Sequence, residues 1–213
     1  NIHALFKIIG YLCKFNEFGM ETFKVGIIGA GHIAEKMAWT LTRMGGVEPY
    51  AVASRSIDKA RYFSDKYGFR KAYGSYEDML NDPQVELIYV ATPHSFHHAH
   101  VRMCLEKGKP VLCEKPFTVN EQQAREVLEL AAAEGVYVSE AMWTWHNATA
   151  KQVKEWIRQE AVGQVKQVNC DYSFPMIKMP IQKPRHTSPE MIGGAIMDIG
   201  IYCIRYCYEL FGM

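Results

Sequence analysis

The segment 23–34 constrains the fold more than any other stretch of this chain. An apolar run ends in the pattern Gly-x-Gly-x-x-Ala, and a helical pattern follows at once. Gly29 permits a tight turn, Gly31 keeps side chains away from an approaching anion, and Ala34 lets a helix pack closely on the strand. The motif therefore predicts a strand, a turn and a helix N-terminus that binds a dinucleotide pyrophosphate; the alternative is an ordinary turn rich in small residues. The predicted contact residues are Gly29, Gly31, His32, Ile33 and Ala34.

Composition sets broad limits on the fold and its partners. The chain has 213 residues, 48% hydrophobic and 22% charged, with a formal net charge of +1, which suits one full domain and part of a second. The near-neutral charge gives no argument for nucleic acid, and no apolar run reaches the roughly 18 residues needed to span a bilayer. Six scattered cysteines favour reduced thiols over a disulfide framework. We therefore expect a cytoplasmic protein without nucleic-acid or membrane partners.

Strand and helix patterns alternate along the chain, which predicts an α/β fold with a doubly wound parallel sheet. The predicted strands are 25–28, 50–53, 87–91, 111–113 and 136–139. We expect an extraneous extension at 1–20, a dinucleotide-binding domain at 21–141 and the incomplete start of a second α/β domain at 142–213. In the second domain the patterns predict a helix at 147–159, a strand at 164–173, an irregular loop at 174–189 and a buried helix at 194–211.

The end of the second predicted strand indicates which cofactor binds. Domains that prefer NAD carry a carboxylate about 20 residues beyond the glycines, which holds the ribose 2′-hydroxyl. This chain has Ser54 and Arg55 at that place and no carboxylate. The guanidinium of Arg55 suits a 2′-phosphate, and Ser54 adds a hydroxyl, so the sequence favours NADP over NAD. The alternative is a solvated arginine beside a helix cap.

Thr92 and Pro93 follow another strand at its carboxyl end, where open α/β sheets bind ligands. Histidines crowd after them, at 94, 97, 98 and 100. No nearby Asp, Glu or Cys completes a coordination shell, so we expect no metal site. One or two of these histidines, His97 among them, are predicted to line a nicotinamide pocket.

Two further places carry groups suited to proton chemistry. Lys115, in the sequence Glu-Lys-Pro, ends a strand where its ammonium can reach a substrate hydroxyl or oxyanion; the alternative is a surface turn. Asp198 and Tyr202 lie four residues apart on one face of an apolar helix. A tyrosine near a lysine ammonium has a lowered pKa and can serve as general acid/base, while Asp198 could orient the substrate or the lysine. The alternative is an aspartate at a helix dipole and a core aromatic.

Taken together, the motifs resemble those of the Gfo/Idh/MocA (glucose–fructose oxidoreductase/inositol dehydrogenase) family, from about residue 21 to the chain end. Tyr202, with the segment Glu-Ala-Met-Trp-Thr at 140–144, is similar to one branch of the family, the dimeric dihydrodiol dehydrogenases and NADP-dependent D-xylose dehydrogenases. The motifs are Gly-x-Gly-x-x-Ala at 29–34, Thr92-Pro93 with His97, Glu114-Lys115-Pro116, and Gly193-Gly194 ahead of Asp198 and Tyr202.

The resemblance implies a Rossmann domain followed by an α/β domain with an open sheet, which commonly forms a homodimer interface. It implies reversible hydride transfer between the nicotinamide of NADP and a carbinol carbon of a sugar or a trans-dihydrodiol. Tyr202 would move the hydroxyl proton, Lys115 would assist it, and Asp198 would position them. Glu114 and Trp143 complete the predicted cofactor-binding set. A non-catalytic NAD(P)-binding sensor of the same fold is the alternative.

Overall fold

A computed structural model describes residues 22–173 and 188–211 of the chain. The extension predicted at 1–20 and most of the loop predicted at 174–189 lie outside these residues. The chain divides into two compact units, one of which ends at Ala141 while the other takes in the residues from Met142 onward.

A six-stranded parallel sheet forms the first unit. Its strands are β1 (Phe23–Ile28), β2 (Val47–Ala53), β3 (Lys71–Tyr73), β4 (Leu87–Val90), β5 (Val111–Cys113) and β6 (Val138–Glu140). The order across the sheet is β3-β2-β1-β4-β5-β6, and every neighbouring pair is parallel. This is the doubly wound order of dinucleotide-binding domains, so the predicted fold class is confirmed. Each of the five predicted strands overlaps an observed one, and β3 was missed.

Five helices connect these strands. They are α1 (His32–Leu41), α2 (Ile57–Tyr67), α3 (Tyr76–Leu80), α4 (His97–Glu106) and α5 (Glu121–Glu134). Some of these helices begin at a residue whose side chain accepts a hydrogen bond from the backbone of the first turn. At the start of α5, for example, Asn120 accepts a hydrogen bond from the N–H of Gln123. Gly135 ends the same helix in the left-handed conformation, at φ 64°.

One buried cluster of this unit lies on the sheet face that carries α4 and α5. Ile27 and Val52, which alternate with members of that cluster along their strands, are fully buried on the opposite face. Burial of these apolar side chains is the main force that holds the helices on the sheet. The members of the buried cluster beneath α4 and α5 include Ile28, Ile88, Val90 and Val111 of the sheet, Val101 and Leu105 of α4, and Val127 of α5.

The second unit is helical in the residues that the structure describes. It contains α6 (Ala148–Arg158), a π-helical turn (Ile196–Gly200) that leads into α7 (Ile201–Phe211), and short 3₁₀ turns at Trp143–His146 and Pro189–Met191. None of the described helices is long and apolar enough to cross a membrane.

Two predictions for the second unit were wrong. Residues 164–173 form no strand, because a strand needs a hydrogen-bonded neighbour and no described segment pairs with them. The helix at 194–211 is not buried: Ile196 is 70% exposed and Ile204 is 56% exposed. The helix predicted at 147–159 is confirmed as α6.

Candidate functional site

Strand register brings the predicted binding loops to one edge of the sheet. Ile28 of β1 pairs with both Ala53 and Val90, and Cys113 of β5 pairs with Val90 and Glu140. The strands therefore end at a common level, and the loops that follow them open at the carboxyl edge, where such sheets bind ligands. The predicted residues along this edge are Gly29, Gly31, Ser54, Arg55, Thr92, Pro93, Glu114 and Lys115.

The two motif glycines have different structural roles at this edge. Gly29 has φ +95°, and a Cβ there would lie 3.0 Å from the carbonyl oxygen of Ala91, so only glycine fits the turn. Gly31 is extended, with φ −100° and ψ −177°, and a Cβ there would meet no atom within 4 Å. Gly31 therefore borders open space in front of the helix, while Ala34 is fully buried at the helix–strand contact.

The first turn of α1 has the properties of a phosphate-binding site. Gly31 is the N-cap and makes no side-chain capping bond, so the N–H groups at His32 and Ile33 meet no competing cap there. Glu35 in the same turn is neutralised by Lys66, whose amine lies 3.0 Å from its carboxylate and lowers its pKa. The residues present therefore fit a dinucleotide pyrophosphate.

The end of β2 presents a cation. Ser54 is buried, and its hydroxyl oxygen accepts a hydrogen bond from the N–H of Ser56. Arg55 is exposed, and among residues 22–173 and 188–211 no carboxylate forms an ion pair with it. The pKa of His100 is lowered to about 4, chiefly by burial and then by the charges of His97 and Arg55. The His100 imidazole is therefore neutral at neutral pH. Arg55 is thus available to an anionic ligand.

The loop after β4 is tied to the loop after β5 by one side chain. His97 is fully buried, with Nδ1 2.7 Å from the carbonyl oxygen of Pro116 and Nε2 2.9 Å from that of Thr92. Burial lowers the pKa of His97. Pro93 is half-buried as the N-cap of a 3₁₀ turn, His94–Phe96. The His97 ring therefore links the loops after β4 and β5, and its place in a nicotinamide pocket stays a prediction.

A buried carboxylate precedes the candidate lysine. Glu114 accepts hydrogen bonds from the hydroxyl of Tyr89 and from the N–H of Lys115, the latter over 3.1 Å. Burial raises the pKa of Glu114. Lys115 is half-buried and lies two residues beyond the end of β5, and the N–H of Phe117 donates to Glu140 over 2.9 Å. These bonds fix the backbone on either side of the lysine.

In the second unit, two aromatic side chains contact Tyr202. The indole nitrogen of Trp143 donates to the Tyr202 hydroxyl over 3.2 Å, and the two ring centroids are 5.7 Å apart. Tyr172 packs edge-on against the same ring, with centroids 5.4 Å apart at 89°. Asp198 lies in the π-helical turn, half-buried, and its N–H donates to the carbonyl of Gly194. Sequence reasoning selected Trp143, Asp198 and Tyr202 but missed Tyr172, which the alternating pattern at 164–173 could have indicated.

No group of three or more His, Cys, Asp and Glu side chains within the described ranges is arranged to hold a metal ion.

Comparison with known proteins links both units to one family. Residues 23–142 match the family described as "Oxidoreductase family, NAD-binding Rossmann fold", and residues 150–213 match the "GFO/IDH/MocA C-terminal domain". The trans-1,2-dihydrobenzene-1,2-diol dehydrogenase of Mus musculus is 36% identical over 189 residues, which cover 88% of this chain and 56% of the mouse protein. The Homo sapiens enzyme of the same name is 35% identical, with 88% and 55% covered.

Solved structures give a consistent result. The 3-ketoreductase KijD10 of Actinomadura kijaniata, in complex with NADP and TDP-benzene, is 28% identical with a TM-score of 0.82, over 90% of this chain and 58% of that chain. An NAD-binding oxidoreductase of Klebsiella pneumoniae is 26% identical with a TM-score of 0.75, over 90% and 54%. The chain thus spans little more than half the length of these relatives.

Proposed function

The chain belongs to the Gfo/Idh/MocA oxidoreductase family, and from this premise we propose that the whole protein is an NADP(H)-dependent dehydrogenase acting on a carbinol group. The preferred substrate class is a trans-dihydrodiol, with a sugar such as an aldose as the second candidate. One observation carries the proposal furthest: Tyr202 is half-buried, and its hydroxyl oxygen accepts a hydrogen bond from Trp143.

Cofactor binding is assigned to the carboxyl edge of the sheet. The first turn of α1 would hold the pyrophosphate, because Gly31 leaves space there and no side chain caps the helix. Arg55 would hold the 2′-phosphate, because its fork of N–H donors is matched to phosphate oxygens. The NADP complex of the related ketoreductase supports the same choice of cofactor.

The bound nicotinamide supplies the chemistry of hydride acceptance or donation. The chain's own residues handle the proton. Tyr202 would remove the proton from the substrate hydroxyl during oxidation and return it during reduction. The N–H of Trp143 would stabilise the phenolate form of Tyr202 that accepts this proton, because a donor to the charged form favours that form. The family resemblance assigns Lys115 to assist Tyr202 and Asp198 to position the reacting groups.

The surroundings of Tyr202 support a substrate with a flat carbon ring. Trp143 and Tyr172 both contact the Tyr202 ring, so two aromatic side chains lie against the proposed acid/base. Aromatic walls favour a partly apolar ring over a fully hydroxylated sugar. The dihydrodiol dehydrogenases among the relatives support the same preference. By the same resemblance, we propose that the whole protein is a homodimer.

A screen of purified whole protein tests this proposal. NADP reduction is followed by absorbance with trans-dihydrodiols and, separately, with aldoses as substrates. We expect a higher kcat/KM with trans-dihydrodiols than with aldoses. Tight NADPH binding without turnover of either class would contradict the enzyme proposal and favour the non-catalytic sensor.

A further inference from the structure

Three cysteines from two segments meet in the second unit. Cys170, Cys203 and Cys207 line one solvent-open cavity of about 580 Å³, together with Asp171 and Ile204. Cys203 and Cys207 lie one helical turn apart on α7 and so share a face. Nothing in the proposed dehydrogenase reaction uses these thiols.

The contacts of Cys170 and Tyr172 place these thiols beside the proposed active site. The thiols of Cys170 and Cys203 both line this cavity. Two residues further on, Tyr172 packs edge-on against Tyr202, the immediate neighbour of Cys203. A single short segment therefore carries one residue that shares a cavity with Cys203 and another whose ring contacts Tyr202.

We propose that Cys170 and Cys203 form a reversible disulfide when a low-molecular-weight disulfide such as glutathione disulfide is present, and that this bond lowers turnover at Tyr202. The second half of the proposal rests on the proposed function; the bond itself does not.

The reaction is a two-step thiol–disulfide exchange. The exposed Cys170 loses its proton to solvent, and its thiolate attacks glutathione disulfide; one S–S bond breaks, a mixed disulfide forms and one glutathione thiolate leaves. The thiolate of Cys203 then attacks the Cys170 sulfur and displaces the second glutathione. Two protein thiols are oxidised, one glutathione disulfide is reduced to two thiols, and the released protons end on glutathione or in solvent.

The surroundings of Cys170 make the rate of this reaction depend on pH. Partial loss of solvent around the thiol, followed by the neighbouring thiol of Cys203, raises the pKa of Cys170 to about 11. Because the thiolate is the nucleophile, the bond should form slowly near neutral pH and faster as pH rises. Cys104 and Cys113 are fully buried, and burial raises the pKa of both, so neither should compete.

Bond formation should change the geometry around the proposed acid/base. A disulfide holds its sulfurs about 2.05 Å apart, closer than any hydrogen bond between thiols. The segment that carries Tyr172 would therefore be drawn toward α7, and the edge contact with Tyr202 would shift. Displacements of about 1 Å in a catalytic site can cost as much as about 100-fold in rate.

Peptide mapping of the whole protein tests the bond directly. Reduced protein is incubated with glutathione disulfide at about pH 8, blocked with N-ethylmaleimide, digested and analysed by mass spectrometry. We expect a peptide linked through Cys170 and Cys203. It should be absent from Cys170→Ser and from Cys203→Ser, and retained in the matched control Cys207→Ser. Absence of the linked peptide from the wild-type protein, or a bond from Cys170 to Cys207 instead, would overturn the proposal.

Turnover of the same samples tests the consequence. Oxidised wild-type protein should lose about tenfold in kcat and recover with dithiothreitol, whereas Cys170→Ser should not respond to glutathione disulfide. Unchanged turnover in fully cross-linked protein would overturn the regulatory half. If the reduced protein has no dehydrogenase activity, the proposed function fails, and peptide mapping still decides whether the disulfide forms.

Discussion

The indole nitrogen of Trp143 lies 3.2 Å from the hydroxyl oxygen of Tyr202, and the two rings meet at 62°. Trp143 begins a 3₁₀ turn directly after the first unit ends, while Tyr202 is the second residue of α7. A donor from a distant part of the sequence thus reaches the one oxygen to which we assign proton transfer. This bond makes Trp143 a positioning residue for the proposed acid/base.

Replacement of Trp143 by phenylalanine should expose that role. Trp143→Phe keeps an aromatic ring and removes the N–H donor, so the phenolate loses about 0.5–1.5 kcal/mol of stabilisation. We expect kcat for NADP reduction to fall by about 2- to 13-fold, the factor that corresponds to this energy. The acidic limb of the pH–rate profile, along which the Tyr202 base becomes protonated, should move to higher pH. Trp156→Phe, on the exposed side of α6, is the matched control and should change neither. An unaltered pH profile in Trp143→Phe would argue against a role in proton transfer.

Arg55 should decide between the two nicotinamide cofactors. Removal of a guanidinium that holds a phosphate costs about 1.5–3 kcal/mol. Arg55→Ala should therefore weaken NADPH about 10- to 150-fold and leave NADH nearly unchanged, as measured by cofactor fluorescence titration. Arg61→Ala, an exposed arginine on α2, serves as control. Equal affinity of the wild-type protein for NADPH and NADH would refute the assignment of the 2′-phosphate to Arg55.

Substitutions at the two motif glycines should have different effects, one on NADPH affinity and the other on the free energy of unfolding. Gly31→Ala adds a methyl group to space that is open in the protein but that a pyrophosphate would need, so NADPH affinity should fall at least about tenfold with unfolding unchanged. Gly29→Ala forces a side chain into φ +95° against the carbonyl of Ala91, so its unfolding free energy should fall by about 1–3 kcal/mol. Titration and thermal unfolding of both variants measure these effects. Normal NADPH binding by Gly31→Ala would contradict the assignment of the pyrophosphate to the first turn of α1.

Asp82 should make the first unit less stable in acid. It is buried and accepts hydrogen bonds from Lys71, Tyr73 and the N–H of Gln84. Burial alone would raise its pKa, but these hydrogen bonds outweigh burial, and the net result is a pKa below the usual value. A lowered pKa stabilises the fold above the ordinary value of about 3.9, and the gain is lost as pH falls through and below it.

Replacement of Asp82 by asparagine tests this sign. Asp82→Asn should reduce the unfolding free energy by about 1–3 kcal/mol near neutral pH, because charged hydrogen bonds are lost. Strong acid protonates Asp82 in the wild-type protein as well. The difference in unfolding free energy between the wild-type protein and Asp82→Asn should therefore become smaller below about pH 3. Asp65→Asn, an exposed aspartate on α2, should show no gap at either pH. Urea unfolding at both pH values gives the comparison, and a gap that widens in acid would contradict the account.

Local chemistry made much of the first unit predictable. Gly29 needs a positive φ, and Asn120 offers an acceptor to the N–H of Gln123; both facts belong to neighbouring residues and can be read from sequence. The strand Lys71–Tyr73 escaped notice because three partly exposed residues carry no apolar run. Its existence depends on pairing with β2, which is a property of the folded sheet.

Tertiary context explains what else could not be predicted from the sequence. The spacing of His97 suggested a place in a pocket wall, yet its ring is held between the carbonyls of Thr92 and Pro116, and no pattern shows which carbonyls a side chain will meet. The alternation at 164–173 suggested a strand, but a ladder partner is required. The side chain of Tyr172 in that segment still turns toward Tyr202.

The most direct measurement of the central claim is the turnover of Tyr202→Phe in the whole protein. The substitution removes only the hydroxyl that is proposed to carry the proton, and general acid/base catalysis is worth about 10²- to 10⁴-fold. The account predicts a loss of kcat in that range on a trans-dihydrodiol, with the dissociation constant for NADPH unchanged. A Tyr202→Phe protein whose kcat stays within about twofold of wild type would contradict it, because a removed proton-transfer group cannot leave the chemical step unaffected.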